Sequence, residues 1–99
     1  MKIEKNYNEK ELTITVGEEI DTVTAPDFEI EINDEEGKYE SLILDCKDLE
    51  YISSAGLRVL IATQKKLQPQ GIPFVLTNVN DSITEILTVS GLIKILTLE

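Results

Sequence analysis

Apolar and polar positions along this chain change period several times, and each change marks an element. In residues 11–16 (ELTITV), Leu12, Ile14 and Val16 alternate with polar neighbours, which is the two-residue period of a half-buried strand. Residues 1–6 are a candidate partner strand, with a turn around Tyr7–Lys10, and after Gly17 the stretch 18–23 (EEIDTV) reads as the strand's tail and a loop. Thr24-Ala25-Pro26-Asp27 carries a helix-start signal, with Thr24 as N-cap and Pro26 in the first turn. Phe28, Ile30 and Ile32 alternate in a way that also suits a strand; the capping signal and a stop at Gly37 favour a helix to about Glu36.

Residues 41–46 (SLILDC) carry Leu42, Ile43 and Leu44 consecutively, which predicts a strand covered on both faces, as parallel strands are. From Ser54 to Gln68 the pattern is helical, with Leu57, Leu60, Ile61, Gln64 and Leu67 on a shared face. Gly71 and Pro73 end that helix, and Phe74-Val75-Leu76 form the next buried strand. Ile83, Ile86 and Leu87 stand at helical spacing within residues 79–89, with Asn80 as the cap, and residues 93–98 (IKILTL) close the chain as a short strand. Strands alternating with helices predict an α/β fold with parallel strands joined by crossover helices, one layer of helices on the sheet. No repeat, linker or low-complexity tract divides the 99 residues, so one domain spanning 1–99 is expected.

Composition changes this picture mainly by exclusion. Nine basic against nineteen acidic residues give a net charge of −10, which works against nucleic acid and against an anionic membrane surface. A basic protein partner suits that charge; so does simple solubility. There is no histidine, so Ser-His-Asp and Cys-His arrangements cannot be built, and one cysteine cannot assemble a zinc site. No glycine-rich phosphate loop is present. The carboxylate pairs at 18–19 and 35–36 read as solvated faces of an acidic chain. Cys46, within an apolar run, is expected to be a buried small hydrophobe, and it cannot form an internal disulfide. The N-terminal residues lack the apolar stretch of a signal peptide and nothing approaches the length of a membrane span, so a cytoplasmic protein is expected. With no histidine, metal-ligand set or phosphate loop, a protein without a cofactor, and not an enzyme, is expected.

One junction remains: Asp48-Leu49-Glu50-Tyr51-Ile52-Ser53-Ser54-Ala55-Gly56-Leu57, between a buried strand and an amphipathic helix. Either serine suits the N-cap. Gly56 in the first helical turn is harder to account for, because glycine is about 1 kcal/mol worse than alanine there. Small residues at 55 and 56 leave the helix start bare, so that a group such as a phosphate can approach free N–H groups favoured by the helix dipole.

This junction resembles that of the STAS-domain anti-sigma factor antagonists, whose pattern reads D-x-x-x-[hydrophobic]-D-S-[ST]-G-L; Asp48, Ile52, Ser54, Gly56 and Leu57 match it. A second stretch, Gly17-Glu18-Glu19-Ile20-Asp21-Thr22-Val23-Thr24-Ala25-Pro26, is similar to the family's G-x-[hydrophobic]-D-x-x-[ST]-A loop with one extra residue after the glycine. The resemblance implies a mixed, mostly parallel sheet of four to five strands with helices mainly on one face, and a C-terminal helix that is short or absent here. It implies a bacterial partner-switching protein. The unmodified form binds an anti-sigma factor serine kinase and frees a sigma factor. Phosphorylation abolishes that binding, and a serine phosphatase of the PP2C type restores it.

Carried over by position, the phosphorylated residue is Ser54, with Ser53 as the alternative site. The partner-binding residues are Asp21, Thr22, Thr24, Ser53, Ser54, Ala55, Gly56 and Leu57. Two positions depart from the pattern: Ser53 stands where the family has aspartate, and Ala55 where it has Ser or Thr. A monomer or weak dimer is expected. The competing reading is a STAS scaffold or subunit of a larger signalling or transport complex without a phosphoswitch.

Overall fold

The computed structural model describes residues 1–99. Five strands, β1 (Lys2–Asn8), β2 (Glu11–Ile20), β3 (Ser41–Ile52), β4 (Phe74–Thr77) and β5 (Thr97–Leu98), pair in sequential order. Three helices, α1 (Ala25–Asn33), α2 (Ser54–Leu67) and α3 (Asp81–Val89), connect them from β2 onward. β1 runs antiparallel to β2, and every later pairing is parallel. Each parallel step moves one strand further across the sheet. Right-handed crossovers taken repeatedly in one direction set all three helices on the same face.

That face is the core side. In register, Leu12, Leu42 and Phe74 form one buried row, and Ile14, Leu44 and Leu76 the next. The helices close over them with Ala25, Phe28 and Ile32 from α1, Val59, Leu60 and Leu67 from α2, and Ile83 and Leu87 from α3. The other side of the sheet carries Thr13, Ile43 and Val75 in one row, all only half-buried. The consecutive apolar run at 42–44 is therefore covered on one face, where the sequence suggested two.

Several boundaries differ from the sequence reading, each for a local reason. β1 continues through Tyr7, whose hydroxyl donates to Glu35 Oε1 at 2.8 Å, and only Glu9 and Lys10 turn the hairpin. Lys5 of the same strand pairs with Glu31 of α1 at 2.7 Å and with Glu35 at 3.2 Å. α1 stops at Asn33, and residues 34–37 are turns ending on Gly37, at φ +82°. The buried stripe of α2 is Gly56, Val59, Leu60, Thr63 and Leu67, rotated from the expected face; Leu57, Ile61 and Gln64 lie at its margin, half-buried. The final strand is shorter than expected because residues 92–94 form a 3₁₀ turn.

β3 departs furthest. It does not end near Cys46 but runs on to Ile52, twice inserting an extra residue against β2: Thr15 faces Asp45 and Gly17 faces Asp48, then Glu18 faces Leu49 and Glu19 faces Tyr51. Each bulge shifts the side-chain alternation by one position. The buried positions accordingly run 42, 44, 46, 49 and 52.

α3 begins as expected. The Asn80 side chain accepts from the Ile83 N–H at 2.9 Å, and its amide also donates to the Leu49 carbonyl of β3 at 2.8 Å. Asn80→Ala removes both bonds and should lower stability by about 1–2 kcal/mol, read as a lower urea midpoint with an unchanged slope.

Candidate functional site

The two bulges carry β3 forward until Ile52 lies beside Ile20 at the end of β2. Both strands then break in the same place, and the chain between Ile20 and α1 lies against the chain between Ile52 and α2. The Ser53 N–H donates to the Ile20 carbonyl at 2.8 Å, which ties the two loops together through the backbone. Residues 17–26 and 48–57 thus meet at one end of the sheet.

Ser53 is the N-cap of α2. Its backbone is extended (φ −88°, ψ 174°), its carbonyl accepts from the Leu57 N–H at 2.9 Å, and its Oγ accepts from the Gly56 N–H at 3.5 Å. The choice between the two serines as cap is thereby made. Ser54 is the first helical residue, exposed, and its hydroxyl has no protein partner. Its N–H belongs to the first-turn donors that no helix can satisfy internally. One serine holds the helix while its neighbour stands free.

Gly56 has a reason other than the one read from the sequence. It is buried, and a Cβ there would lie 2.6 Å from Ile52 Cγ1 and 2.7 Å from Ile20 Cγ2. Glycine lets the first turn of α2 sit directly on the ends of β2 and β3. The close approach belongs to the protein's own core.

The loop at 21–24 is held by a reciprocal pair. Asp21 Oδ1 accepts from the N–H groups of Val23 and Thr24, both at 2.9 Å, and from Thr24 Oγ1 at 3.1 Å. Thr24 Oγ1 in turn accepts from the Asp21 N–H at 2.8 Å, and its one proton is shared between Asp21 Oδ1 and the Glu19 carbonyl, 3.2 Å away. Thr24 stands at the N-cap position but makes no side-chain cap, and its backbone is already helical (φ −90°, ψ −20°). Asp21 does more of the capping, since its carbonyl accepts from the Ala25 N–H at 2.8 Å.

The Thr24 N–H bond, then the Thr24 hydroxyl and the Val23 N–H, hold the Asp21 carboxyl below its ordinary value of 3.8. A lowered carboxylate pKa stabilises the fold above about pH 3.8, and that contribution fades as pH falls through the folded-state value. The Asp21 carboxyl carbon, followed by NMR, should titrate with a midpoint below 3.8, and Thr24→Val should raise it.

Of the remaining expected residues, Thr22 is exposed beside Asp21, Ala55 is half-buried, and Leu57 packs against the core edge. Thr22 and Ala55 line one shallow groove of about 360 Å³ with Pro26, Glu29 and Arg58. Three features of this end escaped the sequence reading. Val23 projects from the loop tip with 81 % of its surface exposed, and Tyr51 is 47 % exposed two residues before the cap. Arg58 lies exposed one turn beyond Ser54. Arg58 carried a readable signal, since i and i+4 share a helix flank; Val23 and Tyr51 carried none.

No three His, Cys, Asp or Glu side chains come together to hold a metal ion. Burial, with the nearby Asp45 charge, pushes the Cys46 thiol up to about 12, so it stays protonated. No helix is long and apolar enough to cross a membrane.

Known proteins share this fold. The sequence model of the STAS domain matches residues 2–99. The anti-sigma-B factor antagonist of Bacillus subtilis is 25 % identical over 92 residues, covering 93 % of this chain and 84 % of that protein. The crystal structure of an anti-sigma factor antagonist from Mycobacterium paratuberculosis superposes with a TM-score of 0.88 at 26 % identity, over 98 % of this chain and 83 % of that one. The Bacillus cell fate determinant SpoIIAA in its phosphorylated form is similar in fold, with a TM-score of 0.77 at 15 % identity over 99 % of this chain and 91 % of its own. A family match spanning all but the first residue settles the membership: this chain belongs to the STAS domain family.

Proposed function

We propose that the chain is an anti-sigma factor antagonist controlled at Ser54. Unmodified, it binds an anti-sigma factor that is also a serine kinase and so frees the sigma factor; phosphorylation of Ser54 abolishes binding, and a PP2C-type serine phosphatase restores it. One observation carries this reading. Ser54 is exposed and unbonded at the first position of α2, while the Ser53 hydroxyl beside it is committed to the cap. The same difference ranks Ser54 above Ser53 as the modified residue.

The names of the relatives in Bacillus subtilis and Mycobacterium paratuberculosis support the partner class. The physics of the site supports the switch. A phosphate adds about −1.5 to −2 charges at a helix N-terminus, where the dipole and free N–H groups tolerate it. The fold therefore persists while the docking surface changes charge and bulk. Asp21, Thr22, Thr24, Ala55 and Leu57 surround that surface, and Gly56 shapes it from beneath.

The test is displacement. A cognate anti-sigma factor kinase loaded with its sigma factor should release the sigma factor on addition of the unmodified chain, and should not release it for the chain carrying phosphoserine at 54. Failure of the unmodified chain to bind or displace would refute the function.

A further inference from the structure

We propose that Arg58 is the intramolecular receptor for the phosphate on Ser54, a positioning residue that seats the modification along the flank of α2; this rests on Ser54 being the modified residue. Arg58 is the only arginine in the chain. It lies four residues after Ser54 on the same helix, and residues so spaced face the same flank with Cβ atoms about 5–6 Å apart. The order of charges is the favourable one, with the anion toward the N-terminus and the cation one turn along. A guanidinium matches phosphate with two parallel N–H donors, which an ammonium cannot do.

Arg58 is free to take this role. The chain's three ion pairs use Lys5 and Lys66, and Arg58 is in none of them. It is exposed, on the wall of the groove lined by Thr22, Pro26 and Ala55. Among the charged groups near it, Glu29 of α1 lines the same groove without pairing to it, and the Asp21 carboxylate is occupied by its own loop. A dianion tethered one turn away outcompetes a single carboxylate across a solvated groove.

Modification then does two things at once. It adds bulk and negative charge at Ser54, and it withdraws the one guanidinium of the docking end from any partner carboxylate. The phosphate is held on the helix flank instead of sweeping a cone of solvent.

The test uses protein with phosphoserine placed at position 54 during translation, so that no kinase is needed. Phosphorus NMR titration reads the second dissociation of the phosphate. R58Q should raise that pKa by about 0.3 pH unit, a factor of about two, as expected for losing one i,i+4 charge pair. The Arg58 side-chain Nε–H signal, unambiguous in a chain with one arginine, should shift when alkaline phosphatase removes the phosphate. Equal pKa values in the parent and R58Q, or an Nε–H signal indifferent to the phosphate, overturns the proposal. Should R58Q fold poorly, the Nε–H measurement on the parent decides alone. A kinase that ignores Ser54 would remove the switch and leave this pairing measurable, so the two failures are distinct.

Discussion

Ser54→Asp is expected to weaken binding to the anti-sigma factor kinase by about 100-fold or more while leaving the thermal midpoint within about 3 °C of the parent. Ser54 is exposed and makes no hydrogen bond through its hydroxyl, so nothing in the fold depends on it. A carboxylate at the first helical position interacts favourably with the dipole, by about 0.3–1 kcal/mol, and should if anything help the helix. Binding is different. A partner that covers Ser54 must desolvate the new charge, and an unpaired charge buried at an interface costs about 2–5 kcal/mol, or roughly 30-fold to several thousand-fold in affinity.

Ser54→Ala separates the two roles. It should bind as tightly as the parent and resist inactivation by kinase and ATP. Titration calorimetry of the two variants checks both statements. Equal affinity for Ser54→Asp and the parent would end the switching mechanism, even if the serine proves to be modified.

Gly56→Ala should meet more crowding than a methyl added at any of the other four glycines. The new Cβ would stand 2.6 Å and 2.7 Å from branch carbons of Ile52 and Ile20, and 3.1 Å from Ile52 Cδ1. Those isoleucines are 2 % and 0 % exposed, so relieving the contact means moving buried core side chains. Overpacking of this kind costs about 1–3 kcal/mol. Helix propensity returns about 1 kcal/mol, because alanine is preferred to glycine inside a helix. The net loss should be at most about 2 kcal/mol, and Gly56→Val should lose more, since valine adds two carbons more than alanine and brings back less propensity.

The clash can be checked by coupling. Ile52→Ala removes the nearest opposing atom, so the double variant Gly56→Ala/Ile52→Ala should lose less stability than the sum of the two single changes. Strict additivity in urea unfolding would mean the helix start yields without strain. Lifting the first turn of α2 also strains the Ser53 N–H bond to Ile20, so Gly56→Ala should weaken kinase binding as well as the fold.

The fold was largely legible because its signals are short-range. Alternation in 11–16, the Asn80 cap and the helical spacing of Ile83 and Leu87 each act within a few residues, and each element formed where its pattern lies. What stayed hidden depends on pairing between distant segments. The β3 bulges are a register relation to β2, so the sequence around Cys46 to Ile52 looked like a loop when it is strand. Side chains that follow a bulge lose their simple alternation, and no periodicity test recovers them.

The site shows the same division. Residues 17–26 and 48–57 stood out as motifs, yet nothing local said that Ile20 and Ser53 would join them. Thr24 had the composition of a cap and the position of one, but Asp21 took its hydroxyl and supplied the bonds. Gly56 was noticed for a penalty in helix propensity; the explanation needed the side chains of two strands. The two serines were indistinguishable by chemistry, and it is the extended backbone of Ser53 and the Gly56 N–H bond to its hydroxyl that separate cap from free hydroxyl.

The central claim is that Ser54 is the residue on which this protein is switched, and peptide mapping by mass spectrometry after incubation with ATP and the cognate serine kinase tests it most directly. One phosphate, located on Ser54 and removed by the PP2C-type phosphatase, is the result expected. A chain that emerges unmodified, or modified at Ser53 with Ser54 untouched, would contradict it.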